Sequence, residues 1–385
     1  MLKGIKQIKF RSIGGKVIDS VLSILPVQNK IVFVNFQGRG YGDSPKYIAD
    51  EILRQSLPYD LVWLVYDLSN QFPNGIRKVK FYGLKSRYEL ATARVIINNT
   101  KGRLPYLKKR SQYYIQTWHG GFGIKYIEKE AEKYLTEKYV RDSKYDSSIT
   151  DLILSGSDFQ TNVIKKSFWY DGEIFKKGVP RNDIFFNVTP NKIKRLKMKY
   201  ALELNCKIAL YAPTFRDDHS IEAYKLAASV VLKSLEEKTG ETWKLIIRLH
   251  PIVASKSALF TYDDTIIDGS GYPDSQELLV MSDLLITDFS SMMMDFAIMK
   301  KTVLLFITDL NEYINACRGI RPLFYQLPFA LAQSNQELCN AIENFDGNKY
   351  QRDLDAFMDT YFHSYDDGHA SEHVVERIKS IIENR

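Results

Sequence analysis

The chain has 385 residues, 45% of them hydrophobic and 26% charged, with a formal net charge of +7. That length holds two domains with sizeable cores, and that composition excludes a disordered, collagenous or disulfide-stapled chain. Three scattered cysteines, Cys206, Cys317 and Cys339, form no metal or disulfide pattern, and no apolar stretch reads as a membrane span or secretory signal, so a reducing cytoplasm is expected. The mild basicity suits an anionic substrate, an anionic membrane or nucleic acid, and does not choose among them.

The first segment, residues 1–25, interleaves Lys3, Lys6, Lys9, Arg11 and Lys16 with leucine, isoleucine and valine at helical spacing. It reads either as an interfacial helix or as a first helix packed on the domain behind it. Apolar β-type runs then follow at Ile31–Phe36, Leu61–Tyr66, Val95–Ile97, Tyr113–Trp118 and Leu152–Leu154. A second set lies at Ile208–Ala212, Leu245–Leu249, Leu284–Thr287 and Val303–Ile307. Helical patterns separate them, at Pro45–Arg54, Ile124–Tyr139, Ala223–Lys238 and Met292–Met299, and the tail from Ser334 is helical. This alternation predicts an α/β protein with parallel sheets covered by helices, divided at the polar stretch around Asn187–Lys199.

Three strand ends are suited to phosphate chemistry, and ligands of open α/β sheets lie beyond the carboxyl ends of strands. Tyr113–Trp118 runs into His119, Gly120 and Gly121. A histidine there can take a proton from an attacking hydroxyl, and the glycines allow close approach; the alternative is a turn histidine bonded to backbone. Leu245–Leu249 carries Arg248 and ends in His250 before Pro251, and both side chains can donate to phosphate oxygens. Leu284–Thr287 passes through Asp288 and Phe289 to Ser290 and Ser291 at a predicted helix start, where free N–H groups suit an anion. Two loops add hydroxyl and cationic groups: Thr214 and Arg216 before Asp217 and Asp218, and Arg181 in the turn Gly178–Asp183. Asp217 and Asp218 lack further spaced ligands, so no metal site is expected.

Taken in order, Gly38-x-x-Tyr41-x-Asp43-Ser44-Pro45, Gln116–Gly120, Gly178-x-Pro180–Asp183, Tyr211–Asp217, Arg248-x-His250-Pro251, Thr287-Asp288-x-Ser290-Ser291-x-x-x-Asp295-Phe296 and Asp367-Gly368-x-Ala370–Glu372 resemble the CDP-glycerol glycerophosphotransferase family of teichoic-acid primases and polymerases. The resemblance covers most of the chain from about Ile31 onward. It implies two Rossmann-like domains in a GT-B-like arrangement, acceptor-side over residues 26–190 and nucleotide-donor over 191–385, with the active site in the interdomain cleft. It also implies transfer of glycerol phosphate from CDP-glycerol to a hydroxyl of a lipid-linked polyol-phosphate or glycan acceptor, of teichoic acid or capsule, with release of CMP.

By that resemblance His119 is the general base. His250, Ser290 and Ser291 hold the donor pyrophosphate, with Arg248, Asp288, Thr214, Arg216 and Arg181 on the donor side and Asp43, Gly120 and Gly121 on the acceptor side. No cofactor, metal or nucleic acid is expected. The location implied is the cytoplasmic face of a bacterial plasma membrane, bound peripherally to its anionic surface. The stretch Gly120–Gly123 departs from the family pattern and is expected to face the acceptor. CDP-ribitol as donor, a GT-B glycosyltransferase using a nucleotide sugar, and a non-catalytic membrane-surface protein are the alternatives. The nucleotide released separates the two enzymes.

Overall fold

The computed structural model describes residues 13–104, 106–216, 224–249, 253, 260–316 and 319–383. The first half runs α1 (Ile13–Ser23), β1 (Gln28–Val34), α2 (Asp43–Arg54), β2 (Asp60–Val65), β3 (Ile76–Lys80), α3 (Leu84–Thr92), β4 (Ala93–Asn98) and β5 (Tyr113–Gln116). It continues through α4 (Glu137–Ile149), β6 (Leu152–Leu154), α5 (Asp158–Ser167), β7 (Glu173–Phe175), α6 (Asp183–Phe186) and α7 (Pro190–Lys199). The second half holds β8 (Lys207–Ala212), α8 (Ala228–Thr239), β9 (Trp243–Ile247), β10 (Ile266–Asp268), α9 (Ser275–Met281), β11 (Leu284–Thr287), α10 (Met292–Ala297), β12 (Thr302–Phe306) and α11 (Leu310–Ala316). It ends in β13 (Ala330–Ala332), α12 (Asn335–Glu343), α13 (Gly347–Phe357) and α14 (Ala370–Glu383).

Two wholly parallel sheets result, ordered β3-β2-β1-β4-β5-β6-β7 and β10-β9-β8-β11-β12-β13. Each starts at a central strand, walks to one edge, then crosses back to build the other side. The winding reverses between β1 and β4, and again between β8 and β11. A crevice opens at such a reversal, beyond the carboxyl ends of the two strands. Helices cover both faces of each sheet, so successive residues of a strand are buried alike. In β1, Ile31 and Phe33 join one core while Val32 and Val34 join the core on the opposite face.

Local chemistry sets the helix starts. The Ser157 side chain accepts from the Gln160 amide at 3.0 Å ahead of α5, and Thr189 accepts from the Lys192 amide at 3.2 Å ahead of α7, whose first residue is Pro190.

The expected helix Ile124–Tyr139 does not form as one element. A 3-10 segment, Glu128–Tyr134, is followed by extended Leu135, and α4 begins after Thr136, which accepts from the Tyr139 amide at 3.2 Å. The flanking chain serves the join between the halves instead: Lys125 pairs antiparallel with Ile320. Helix α14 also departs from a simple division at residue 190. Its Val374, Val375, Ile378 and Ile382 pack with Ile31, Phe33, Ile48 and Trp63 in the core of the first half. Helix α1 lies on α3, with Asp19 paired to Arg87 at 2.6 Å, and residues 1–12 lie outside the described residues.

Candidate active site

His119 stands three residues beyond β5, and the strand exit is sharply turned. Trp118 has φ 54°, a left-handed conformation costly for a bulky residue. The Gln116 side chain holds that turn by accepting from the Trp118 amide at 3.0 Å, while its own amide donates to Asp146 and to the Thr100 carbonyl. Nδ1 of His119 lies 2.8 Å from the carbonyl oxygen of Asn99, just beyond β4. A carbonyl only accepts, so Nδ1 carries the proton and Nε2 of the neutral ring carries the lone pair. Burial lowers the pKa of His119 from the ordinary value; the Asn99 contact and Asp43 act against that, and Arg181 adds to it. The ring is therefore a base-ready imidazole near neutral pH.

Asn99 is itself fixed. Its side chain donates to Asn35 Oδ1 at 2.8 Å and accepts from the Phe36 amide at 2.8 Å. Asn35 closes β1 and Asn99 closes β4, so the support for His119 is built at the reversal of winding. Neither asparagine carries a motif in sequence; the signal was their place at the ends of two apolar strands.

The loop after His119 meets the second half. A Cβ placed on Gly120 would lie 3.8 Å from Ser291 Oγ, and one on Gly121 would lie 3.2 Å from Asp295 Oδ1. Glycine at 121 thus permits a close backbone approach that a side chain would have to push aside. Both expected acceptor-side glycines stand at the seam between halves. Phe122 turns inward, packed on Phe159 at 4.7 Å between ring centroids, so it does not face an acceptor as expected; Gly123 abuts Val163.

Beneath this loop Arg181 is buried between two carboxylates. It reaches Asp295 at 3.1 Å and Asp43 at 3.3 Å, which joins α2 of the first half to α10 of the second. Burial pushes the Asp295 carboxyl upward in pKa and Arg181 pulls it back. The Nε and Nη2 of Arg181 face Asp295 and its Nη1 faces Asp43, so all three nitrogens meet protein acids. Lys46 extends the seam to Asp274 at 2.5 Å, as does Arg321 to Glu130.

The second reversal brings together Thr214, Arg216 and Asp288, three residues expected on the donor side. Asp288 Oδ1 accepts from the Thr214 amide at 2.9 Å and from its hydroxyl, and Oδ2 accepts from Arg216 Nη1 at 2.9 Å. Arg216 also clasps Asp309 through Nε at 2.6 Å and Nη2 at 2.8 Å, and donates to the Thr214 carbonyl at 2.9 Å. Four of its five N–H groups thus have protein partners among the described residues, so Arg216 and Asp288 build the loop rather than present open charges. Arg248 donates to the Gly269 and Tyr272 carbonyls, and burial lowers its pKa.

Ser291 precedes α10 without capping it. Ser290 Oγ instead accepts from the Met292 amide at 3.3 Å. Helix α10 has six residues, so its dipole is short. His250, Asp217 and Asp218 lie outside the described residues. No group of three or more His, Cys, Asp or Glu among the described residues is placed to hold a metal ion.

The profile of the CDP-glycerol:poly(glycerophosphate) glycerophosphotransferase family matches residues 18–380. The chain belongs to that family. A teichoic acid poly(glycerol phosphate) polymerase from Staphylococcus epidermidis is 30% identical over 92% of this chain, which spans 51% of that protein. One of the same name from Bacillus spizizenii is 29% identical, with 94% of this chain and 95% of that protein covered. A solved structure of the wall teichoic acid polymerase TagF superposes with a TM-score of 0.84 at 28% identity, covering 96% of this chain and 94% of that one. The family and the two parallel sheets expected from sequence are both borne out, and the fold is that of TagF.

Proposed function

We propose that this chain transfers glycerol phosphate from CDP-glycerol to a hydroxyl of a teichoic-acid acceptor. The observation that carries the reading is His119, held with its Nε2 lone pair available at a strand end, next to Gly120 whose position approaches Ser291 of the other half, in a chain whose family match spans residues 18–380. His119 takes the proton of the acceptor hydroxyl as that oxygen attacks the phosphorus bearing glycerol. The pyrophosphate P–O bond breaks and CMP leaves with the electron pair. Ser290 and Ser291 bind the donor phosphates, together with His250 and Arg248. Thr214, Asp288 and Arg216 shape the loops around them, while Asp43 and Arg181 hold the His119 side against the donor side.

The acceptor in this reading is lipid-linked. No helix among the described residues is long and apolar enough to cross a membrane. Docking then falls to the surface, with the basic start ahead of α1 meeting an anionic leaflet on the cytoplasmic face of the bacterial membrane. Incubating the purified protein with CDP-glycerol, CDP-ribitol or a nucleotide sugar and a lipid-linked acceptor tests the activity. CMP released with CDP-glycerol is expected; CMP from CDP-ribitol alone reassigns the donor, and a nucleoside diphosphate from the sugar donor overturns the reaction class.

A further inference from the structure

Along the carboxyl edge of the first sheet, three exposed aromatic rings stand in strand order leading away from His119. Phe36 follows β1, Tyr66 follows β2 and Tyr82 follows β3, with 36%, 42% and 63% of their surfaces exposed. Phe36 meets the His119 ring edge-on at 5.5 Å between centroids. Tyr66 and Tyr82 lie 5.8 Å apart, and both lean on Phe81, at 5.2 Å and 4.9 Å. Buried Phe81 is also the residue that Gly38 packs against, and the Tyr66 amide donates to the Gly38 carbonyl at 3.0 Å. The rings are thus held by backbone and by a buried pillar. The sheet order β3-β2-β1-β4-β5 makes the ledge continuous with His119, four strand spacings or roughly 19 Å from end to end.

Exposed aromatic surface of this kind marks an interaction site. Its chemistry is mixed rather than purely apolar. Arg39 is exposed in the loop between Phe36 and Tyr41, close enough to Tyr66 to oppose the rise in its pKa that burial and Tyr82 cause, up to about 12. Exposed Lys80 donates to the Tyr66 carbonyl at 2.8 Å. The nearby carboxylate of Asp67 is turned onto Ser69, whose amide and hydroxyl donate to it at 2.9 Å and 2.8 Å.

We propose that Phe36, Tyr66, Tyr82 and Arg39 form an extended acceptor subsite, which holds the already-joined units of an anionic polyol-phosphate chain while its terminal hydroxyl lies at His119. Ring faces attract the C–H edges of the polyol carbons, and the guanidinium takes a phosphodiester oxygen. Cations interleaved with rings fit an alternating carbon–phosphate chain better than they fit acyl tails. The inference rests on the activity proposed above and deepens it by naming what recognises the acceptor beyond the attacking unit.

The test compares the parent with Tyr82→Ser and Arg39→Gln, and with Tyr134→Ser as an exposed-aromatic control on the 3-10 segment. Synthetic oligo(glycerol phosphate) acceptors of one unit and of several units are used with CDP-glycerol. Loss of a ring contact with one or two methylenes is expected to raise KM for the long acceptor about tenfold. KM for the single-unit acceptor and for CDP-glycerol stays at the parent value, as does every parameter of the control. An unchanged KM for the long acceptor overturns the ledge, as does an equal rise for both lengths. Calorimetric binding of the long oligomer without donor reads the ledge independently of turnover. A parent that binds the oligomer through these residues yet releases no CMP sinks the activity and keeps the ledge. If the variants sediment less with phosphatidylglycerol vesicles and bind the oligomer as the parent does, the surface belongs to the membrane and the proposal fails.

Discussion

Replacing His119 by alanine tests the centre of the proposed chemistry. The structure supplies the reason for the effect. The Asn99 carbonyl fixes the tautomer that leaves Nε2 unprotonated, and burial lowers the pKa, so the basic form prevails at neutral pH. A positioned general base contributes ~10²–10⁴-fold, or about 3–5 kcal/mol of transition-state stabilisation. Turnover of His119→Ala with CDP-glycerol and a saturating acceptor is expected to fall by that factor. Calorimetric binding of CDP-glycerol is expected to persist, since the groups proposed to bind the donor come from the other half. The sign of the pH effect follows from the lowered pKa: the base is lost only when pH falls beneath the ordinary histidine value of 6.5, so the acid limb of kcat/KM lies below it. A variant that keeps near-parent turnover, or a parent whose acid limb lies above pH 6.5, refutes the assignment.

Three further outcomes are expected. Arg181→Leu leaves Asp43 and Asp295 facing each other without their buried cation, and should lower unfolding free energy by about 3–5 kcal/mol, read as a lower guanidinium midpoint; an unchanged midpoint would mean the seam is wetter than its geometry implies. Asp366, held by the Val179 amide at 2.6 Å and Asn182 at 3.0 Å, has its carboxyl pushed by burial to about 7; the folded state binds the extra proton, so this group weakens the fold as pH rises from about 4 to 7. The melting temperature of the parent should accordingly fall relative to Asp366→Asn across that range, and a constant difference would contradict the shift. Deleting residues 2–25 should reduce sedimentation with anionic vesicles in a salt-dependent way, because each basic residue near the leaflet contributes about 1 kcal/mol, while activity on a soluble acceptor remains; equal sedimentation would move docking to another surface.

The amino-acid order alone determined the central strands. The runs that became β1, β2, β4, β5, β6, β8, β9, β11 and β12 are apolar because both of their faces are covered. The strands it concealed are β3, β7, β10 and β13, which are the four sheet edges. An edge strand buries less and is short or polar, as in Ile76–Lys80 with its arginine and two lysines, so no apolar run announces it. The segment Ile124–Tyr139 misled because its helical spacing yields to the pairing of Lys125 with Ile320, a contact between residues far apart in the chain.

The same division holds at the site. The places of His119, Ser290 and Ser291 at strand exits were legible, because parallel sheets present those exits on one edge. Which nitrogen of His119 keeps its proton was not legible, since the deciding carbonyl comes from Asn99 on a different strand. Arg181 and Arg216 read in sequence as cations ready for phosphate. Their donors are instead taken by Asp43, Asp295, Asp288 and Asp309 from other elements. A buried guanidinium needs its charge matched nearby, and only the folding of distant segments together decides which acid supplies the match.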